Sequence, residues 1–185
     1  MKQVYLVRHA LTEMNVAGKF SGTVDTKLTD EGIAQAQQTG KEIKKAGIMF
    51  DLIICSPLSR TYDTAKQIAT AIDYPVEDIK KDDLLIERNF GELEGTYGKD
   101  FWSNHNFSDL DKVNGAETTD QLGKRAKRIL LEIDRLKANN ILLVTHGAIG
   151  RALRREVKNI PHHYENDDKH RTELQIPNAG LIRLI

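Results

Sequence analysis

Hydrophobic and polar positions along this chain follow two rhythms. Three short, almost wholly apolar runs, Val4 to Val7, Leu52 to Ile54 and Ile141 to Val144, read as strands buried on both faces. Each is followed by a turn and then by apolar residues at steps of three and four, the helical period. The spacing predicts a helix near 30–46, with Ile33, Ala36, Gly40 and Ile43 on one face. Thr29 is placed to cap it, and Asp30 and Glu31 suit the positive end of its dipole. A second helix is expected after Pro57, which sits at a plausible first-turn position, with the stripe Leu58, Tyr62, Ala65, Ala69 and Ile72. A third is expected near 118–138, through Leu122, Ala126, Ile129, Ile133 and Leu136, and a fourth after His146 and Gly147. Strand and helix alternating in this way is the signature of an α/β domain with a largely parallel sheet.

Two segments break the rhythm. Residues 88–117 hold five of the eleven aromatics among glycines and polar residues, which makes them a candidate lid or a small satellite core. Residues 154–175 are highly charged and carry His162, His163 and His170, read as a solvated polar loop. No repeat, low-complexity tract or linker divides the chain, so residues 1–185 are expected to form a single domain.

Charge narrows the function. Twenty-seven basic residues balance twenty-seven acidic ones, so no overall field favours nucleic acid or an anionic membrane, and any anion site must be local. Cys55, the single cysteine, rules out an internal disulfide and reads as a buried strand residue. No apolar run approaches the roughly twenty residues of a membrane span, and a cytoplasmic protein is the default expectation.

The chemistry-bearing residues fall at the ends of the strands. Arg8 and His9 close the first run, Arg60 opens the helix after the second, and His146 closes the third. The carboxyl ends of parallel strands share one rim, where ligands bind, so two histidines and two arginines are expected to meet there. Arginine suits phosphate or carboxylate, and a helix N-terminus adds backbone donors for the same anion. Taken singly, each residue reads as a solvated edge; the coincidence of four is the signal. Metal ligation fits less well, because arginines repel a cation and no carboxylate of ligand spacing accompanies them. Other phosphate motifs fail on spacing. Gly98-Lys99 lacks the glycine and the Ser/Thr of a Walker loop, and Cys55 and Arg60 have four residues between them where cysteine phosphatases have five.

Five segments in order resemble the histidine phosphatase superfamily, which includes the cofactor-dependent phosphoglycerate mutases. RHALTEMN is similar to its Arg-His-Gly-Glu-Thr-x-x-Asn signature, and SGTVDTKLTDEG to its Gly-x-x-Asp-x-x-Leu-Thr-x-x-Gly segment. SPLSRTYDTA resembles the second arginine motif, LLIERNFGELEG the glutamate motif, and VTHGAIGR the second histidine motif, while IPNAGLIRL looks like the closing strand. The resemblance implies a three-layer α/β/α sandwich of phosphoglycerate mutase-like form. It implies His9 as nucleophile through a phosphohistidine, with Arg8, Arg60 and His146 on the phosphoryl oxygens and Asn15 as a further donor. Glu87 is implied as general acid and then base, and Ser21, Gly22, Arg88 and Gly147 as substrate-side positions. His9 must attack as neutral imidazole, so its other N–H needs an acceptor such as a backbone carbonyl. Two departures stand out: Ala10 where glycine is usual, and Leu11 in place of Glu or Gln.

The expected activity is hydrolysis of a small phosphorylated metabolite, with no metal, no cofactor, no nucleic-acid or membrane partner, and a monomer or homodimer as the assembly. Phosphoglycerate mutase is the alternative, kept open by Arg88. Residues 89–117 carry only Lys99 and Lys112 as fixed cations, too few for a second phosphate, and this favours water as acceptor. A non-catalytic phospholigand-binding regulator is the third reading, against which stand His9, Glu87 and His146 together.

Overall fold

The computed structural model describes residues 2–161 and 173–185; His162, His163 and His170 lie outside the described residues. In chain order the main elements are β1 (Gln3–Arg8), α1 (Glu13–Val16), α2 (Asp30–Lys45), β2 (Leu52–Cys55) and α3 (Ser59–Ala71). Then come β3 (Lys80–Lys81), α4 (Gly98–Trp102), α5 (Thr119–Arg135), β4 (Asn140–Thr145), α6 (Gly147–Val157) and β5 (Leu181–Arg183). The sheet order is β3-β2-β4-β1-β5, parallel except for β5, which pairs antiparallel with β1.

The apolar runs are apolar throughout because both faces of the sheet are covered. Val4, Leu6, Leu52, Ile54, Ile141 and Leu143 point into one core with Leu122, Ala126, Ile129 and Ile133 of α5 and Ile149, Ala152 and Leu153 of α6. The alternate residues Val7, Ile53, Cys55, Leu142 and Val144 enter the other, with Ile43 of α2 and Ala65, Ile68 and Ala69 of α3. Period-two alternation thus divides each strand between two helical layers, giving the α/β/α sandwich.

Helix ends follow local chemistry. Thr29 caps α2 through Gly32 N, and Thr118 forms a capping box with Gln121 at the start of α5. The second helix departs from expectation. Pro57 lies two residues before it, Leu58 is the N-cap without a side-chain bond, and the buried face is Arg60, Thr61, Thr64, Ala65, Ile68 and Ala69. Tyr62, Ala65, Ala69 and Ile72 of the apolar stripe do meet the core, and the buried face is widened beyond it by Arg60, Thr61 and Thr64. Its missing cap comes from another part of the chain. Asp25 Oδ1 accepts from Ser59 N at 3.0 Å and from Ser59 Oγ at 2.7 Å.

The chain leaves β1 toward the α2 layer and leaves β4 toward the α6 layer. These two strands are neighbours, so a crevice opens between their carboxyl ends, the topological switch point where α/β proteins bind ligands. No helix among the described residues is long and apolar enough to cross a membrane.

Candidate active site

His9 and His146 follow β1 and β4 across the switch point, their ring centroids 5.2 Å apart. His9 Nδ1 lies 2.8 Å from the carbonyl oxygen of Ala10. A carbonyl only accepts, so Nδ1 carries the proton and Nε2 keeps its lone pair. Burial, and then the neighbouring His146, Arg60 and Arg8, hold the His9 pKa well below 6.5, so the ring is neutral.

Ala10 and Leu11 have structural reasons. Ala10 has no positive φ, and its methyl is fully buried against Ala36 and Ala179. Leu11 acts through its backbone. Its carbonyl accepts from Thr29 N at 3.0 Å, and a Cβ on Gly32 would come within 2.1 Å of that oxygen. Leu11 and Gly32 together press the loop after His9 onto the start of α2.

The two arginines are held differently. Arg60 is 1% exposed; its Nη2 donates to Gly22 O at 2.7 Å, its Nη1 to Val24 O at 2.9 Å and its Nε to His146 Nδ1 at 3.1 Å. One N–H on each terminal nitrogen remains for a ligand. Arg8 donates from Nη1 to Ile176 O at 3.3 Å, and among the described residues its buried Nε has no hydrogen-bond partner. Ser21 Oγ is likewise buried and unpartnered, on the same cleft. Buried donors normally find partners, and these two atoms belong to residues on the wall of one cleft.

His146 stands beside His9 and Arg60 at the switch point. Its Nδ1 accepts from Arg60, so its proton lies on Nε2, 2.8 Å from Ser56 Oγ. Burial first, then Arg60 and Arg8, keep its pKa well below 6.5. In this structure both ring nitrogens bond to protein, and the ring orients Arg60.

Glu87 sits on the N-terminus of α6. Ala148 N donates to both of its oxygens at 3.1 Å, Ile149 N to Oε1 at 3.2 Å and Arg88 N to Oε1 at 2.9 Å. Burial pushes its pKa up, but these backbone donors and the charge of Arg151 outweigh burial and leave it below the ordinary 4.5.

Asn15 closes a capping box with Thr12, and its Oδ1 also accepts from Asn178 Nδ2 at 3.1 Å, which leaves its own N–H donors for the cleft it lines. Gly22 adopts φ 51° and Gly147 begins α6, both on the cleft wall. Arg88 does not join them. Its buried guanidinium donates from Nη2 to Asp111 Oδ1 at 2.7 Å and from Nε to Glu117 O at 2.8 Å, and it does not line the cleft. These bonds tie residue 88 to the start of α5 and turn the guanidinium toward Asp111. Cys55 points into the opposite core, its thiol pushed up to about 12 chiefly by burial, so no cysteine–arginine loop forms with Arg60.

The cleft holds about 570 Å³ and is walled by Phe20, Phe90, Trp102, Phe107 and Leu110. Phe20, Phe101 and Leu110 also make a separate small core with Phe90, Leu93, Phe107 and Val113. The aromatic segment is therefore both satellite core and cleft wall. Sequence reasoning misses Lys19, Arg151 and Gln175 on the cleft, and Ser56, Asn178 and Glu94 behind it. Arg151 alone had a signal, lying one helical turn beyond Gly147.

The profile of the histidine phosphatase superfamily (branch 1) matches residues 4–184. The chain belongs to this superfamily. It is 34% identical over 158 residues to a putative phosphoserine phosphatase 2 of Hydrogenobacter thermophilus, covering 80% of this chain and 74% of that one. It is 37% identical over 94 residues to a 2,3-bisphosphoglycerate-dependent phosphoglycerate mutase of Bartonella bacilliformis, but this spans only 46% of the mutase. The structure of an Entamoeba histolytica phosphoserine phosphatase, solved with 3-phosphoglyceric acid, superposes with a TM-score of 0.77 at 26% identity, covering 98% of this chain and 89% of that one.

Proposed function

We propose that the protein is a phosphomonoesterase acting on small phosphorylated metabolites through a phosphohistidine on His9. The observation that carries this reading is the tautomer of His9, whose Nδ1–H is committed to the Ala10 carbonyl beside two arginines and two orphaned donors. Arg8, Arg60, Ser21 and Asn15 hold the phosphoryl oxygens, and fixed charge of this kind stabilises a loose, anionic transition state. His9 Nε2 attacks phosphorus as the P–O bond to the leaving alcohol breaks. Glu87 supplies the alcohol's proton; water then gives up a proton to Glu87, attacks the phosphohistidine and releases phosphate with His9 restored.

Glu87 starts this cycle ionised, so it must gain a proton as the substrate dianion arrives. The adjacent negative charge raises its pKa in the required direction. The segment 88–117 is the substrate-selecting wall, and the cleft volume suits a small ester. A cytoplasmic setting belongs to the same reading, supported by the small-metabolite chemistry and the lone buried thiol of Cys55.

The mutase reading has the Bartonella relative in its favour, but Arg88, its expected anchor, is bound to Asp111. Turnover of p-nitrophenyl phosphate tests the mechanism: His9→Ala should abolish it and Cys55→Ser should not, and the reverse pattern contradicts the proposal. Mixing 3-phosphoglycerate with 2,3-bisphosphoglycerate should yield phosphate, whereas 2-phosphoglycerate as main product would favour the mutase.

A further inference from the structure

The peptide that faces His9 is held from behind as well. The Ala10–Leu11 peptide accepts His9 Nδ1–H on its carbonyl oxygen at 2.8 Å, and donates its own N–H, that of Leu11, to Gln35 Oε1 at 3.2 Å. Gln35 lies on the second turn of α2, and its Nε2 donates in turn to Glu31 Oε1, one turn back along the helix, at 3.2 Å. The four groups form one chain in which every link donates away from the imidazole: ring to peptide, peptide to side-chain amide, amide to carboxylate. Only one orientation of the Gln35 amide serves both ends, since the Leu11 N–H must meet an oxygen and the carboxylate must meet an N–H.

Neighbouring bonds keep the peptide from turning. Ala10 N donates to Thr64 Oγ1 at 3.0 Å, and Thr64 Oγ1 donates to Arg60 O at 2.7 Å. Leu11 O accepts from Thr29 N at 3.0 Å. The peptide units before and after Ala10–Leu11 are thus fixed to α3 and to the start of α2. Gln35 alone bonds to the unit between them.

That bond supplies more than position. As Nε2 forms its bond to phosphorus the imidazole gains positive charge, while the Nδ1 proton stays on the ring. Burial, and then His146, Arg60 and Arg8, all disfavour a cationic ring here, so the acceptor at Nδ1 carries the burden of stabilising it. A peptide whose N–H is engaged is more polarised, and its carbonyl oxygen accepts more strongly.

We propose that Gln35 is a positioning residue for the nucleophile, fixing the tautomer of His9 and strengthening its attack through the Ala10–Leu11 peptide, with Glu31 as the solvent-side end of the relay. The proposal rests on the phosphomonoesterase reading of the cleft. Gln35 is not among the residues that line the cleft, so it acts through His9 and not on the substrate.

Three measurements test it together: kcat/KM for p-nitrophenyl phosphate, the inhibition constant of inorganic phosphate, and the proton NMR signal of His9 Nδ1–H, assigned by its loss in His9→Ala. The first reports attack by His9, the second reports binding by the arginines, and the third reports the hydrogen bond itself. Gln35→Met keeps the length of the side chain and removes the acceptor. It should lower kcat/KM by about 10-fold, the equivalent of one hydrogen bond, and leave phosphate inhibition unchanged. The Nδ1–H signal should move upfield. Gln35→Glu keeps an acceptor for Leu11 N and should retain most of the rate and the downfield signal. Glu31→Gln, at the end screened by solvent, should cost less than Gln35→Met. Wild-type kcat/KM in Gln35→Met overturns the inference, as do equal losses in Gln35→Met and Gln35→Glu. A loss matched by weaker phosphate inhibition also overturns it, because the loop as a whole would then have moved. A wild type inert toward p-nitrophenyl phosphate overturns the phosphomonoesterase reading and this inference with it.

Discussion

Mild acid should destabilise this protein well before its carboxylates titrate. His9 and His146 are both buried, 3% and 0% exposed, and both are held neutral. In the unfolded chain each takes up a proton as the pH falls below 6.5, while in the fold each resists it. The unfolded state therefore binds more protons, and folding loses about 1.4 kcal/mol per pH unit per histidine. Stability is fully present above the unfolded value and falls progressively below it. Between about pH 7.5 and 5.5 the pair accounts for a loss on the order of 3 kcal/mol, against a total of about 5–15 kcal/mol for a typical domain. Glu87 belongs to a lower window. Its pKa is depressed, so its contribution fades only as the pH drops below 4.5 and through its folded value. Urea midpoints at the two pH values, in buffers free of phosphate, measure the effect. His146→Asn should remove about half of the pH dependence. Wild-type stability that is flat or rises as the pH falls would refute the assignment of two buried neutral imidazoles.

Three further outcomes follow from particular contacts. Glu94 accepts from Thr23 N at 2.8 Å, Thr23 Oγ1 at 2.9 Å and Phe90 N at 3.1 Å, clasping the loop whose carbonyls hold Arg60. Glu94→Ala orphans these donors and should cost about 2–4 kcal/mol in a melt, with the KM for phosphate esters raised; Glu94→Gln should retain most of both, and a wild-type KM in Glu94→Ala would disprove the link to Arg60. Glu87→Gln should slow alkyl phosphates far more than p-nitrophenyl phosphate, since only the poor leaving group needs the proton; equal loss in both contradicts its acid role. Asp111→Ala should lower stability by about 2 kcal/mol, discounted because Asp111 is partly exposed, and leave kcat unchanged; a large fall in kcat would return Arg88 to the active site.

The architecture was legible where pattern and burial share one cause. The apolar strands announce a sheet covered on both faces, and Thr29 and Thr118 announce helix starts, because these are local signals. The helix after β2 buries a wider face than its apolar stripe marks, because Arg60, Thr61 and Thr64 are polar yet buried, a tertiary effect that no hydrophobic stripe records. The two-residue β3 leaves no pattern at all, having only exposed lysines. Within the site, strand-end placement brings Arg8, His9, Arg60 and His146 near one another, whereas Glu87 joins them only through the family resemblance. It could not tell that Arg88 turns toward Asp111 or that His146 faces Arg60, because side-chain direction depends on partners distant in sequence. Lys19 and Asn178 were missed for the same reason: each reaches the cleft or its supports through a loop that only the closed fold positions.

The central claim is that His9 carries the phosphoryl group. Rapid acid-free quenching of the enzyme during turnover of a labelled phosphate ester, followed by trypsin, isolates the peptide from His9 to Lys19, in which His9 is the sole histidine. The account predicts that the label resides on this peptide, is stable to base and labile to acid, and is absent from His9→Ala. Label on the peptide that contains Cys55, or on any other residue, would contradict it.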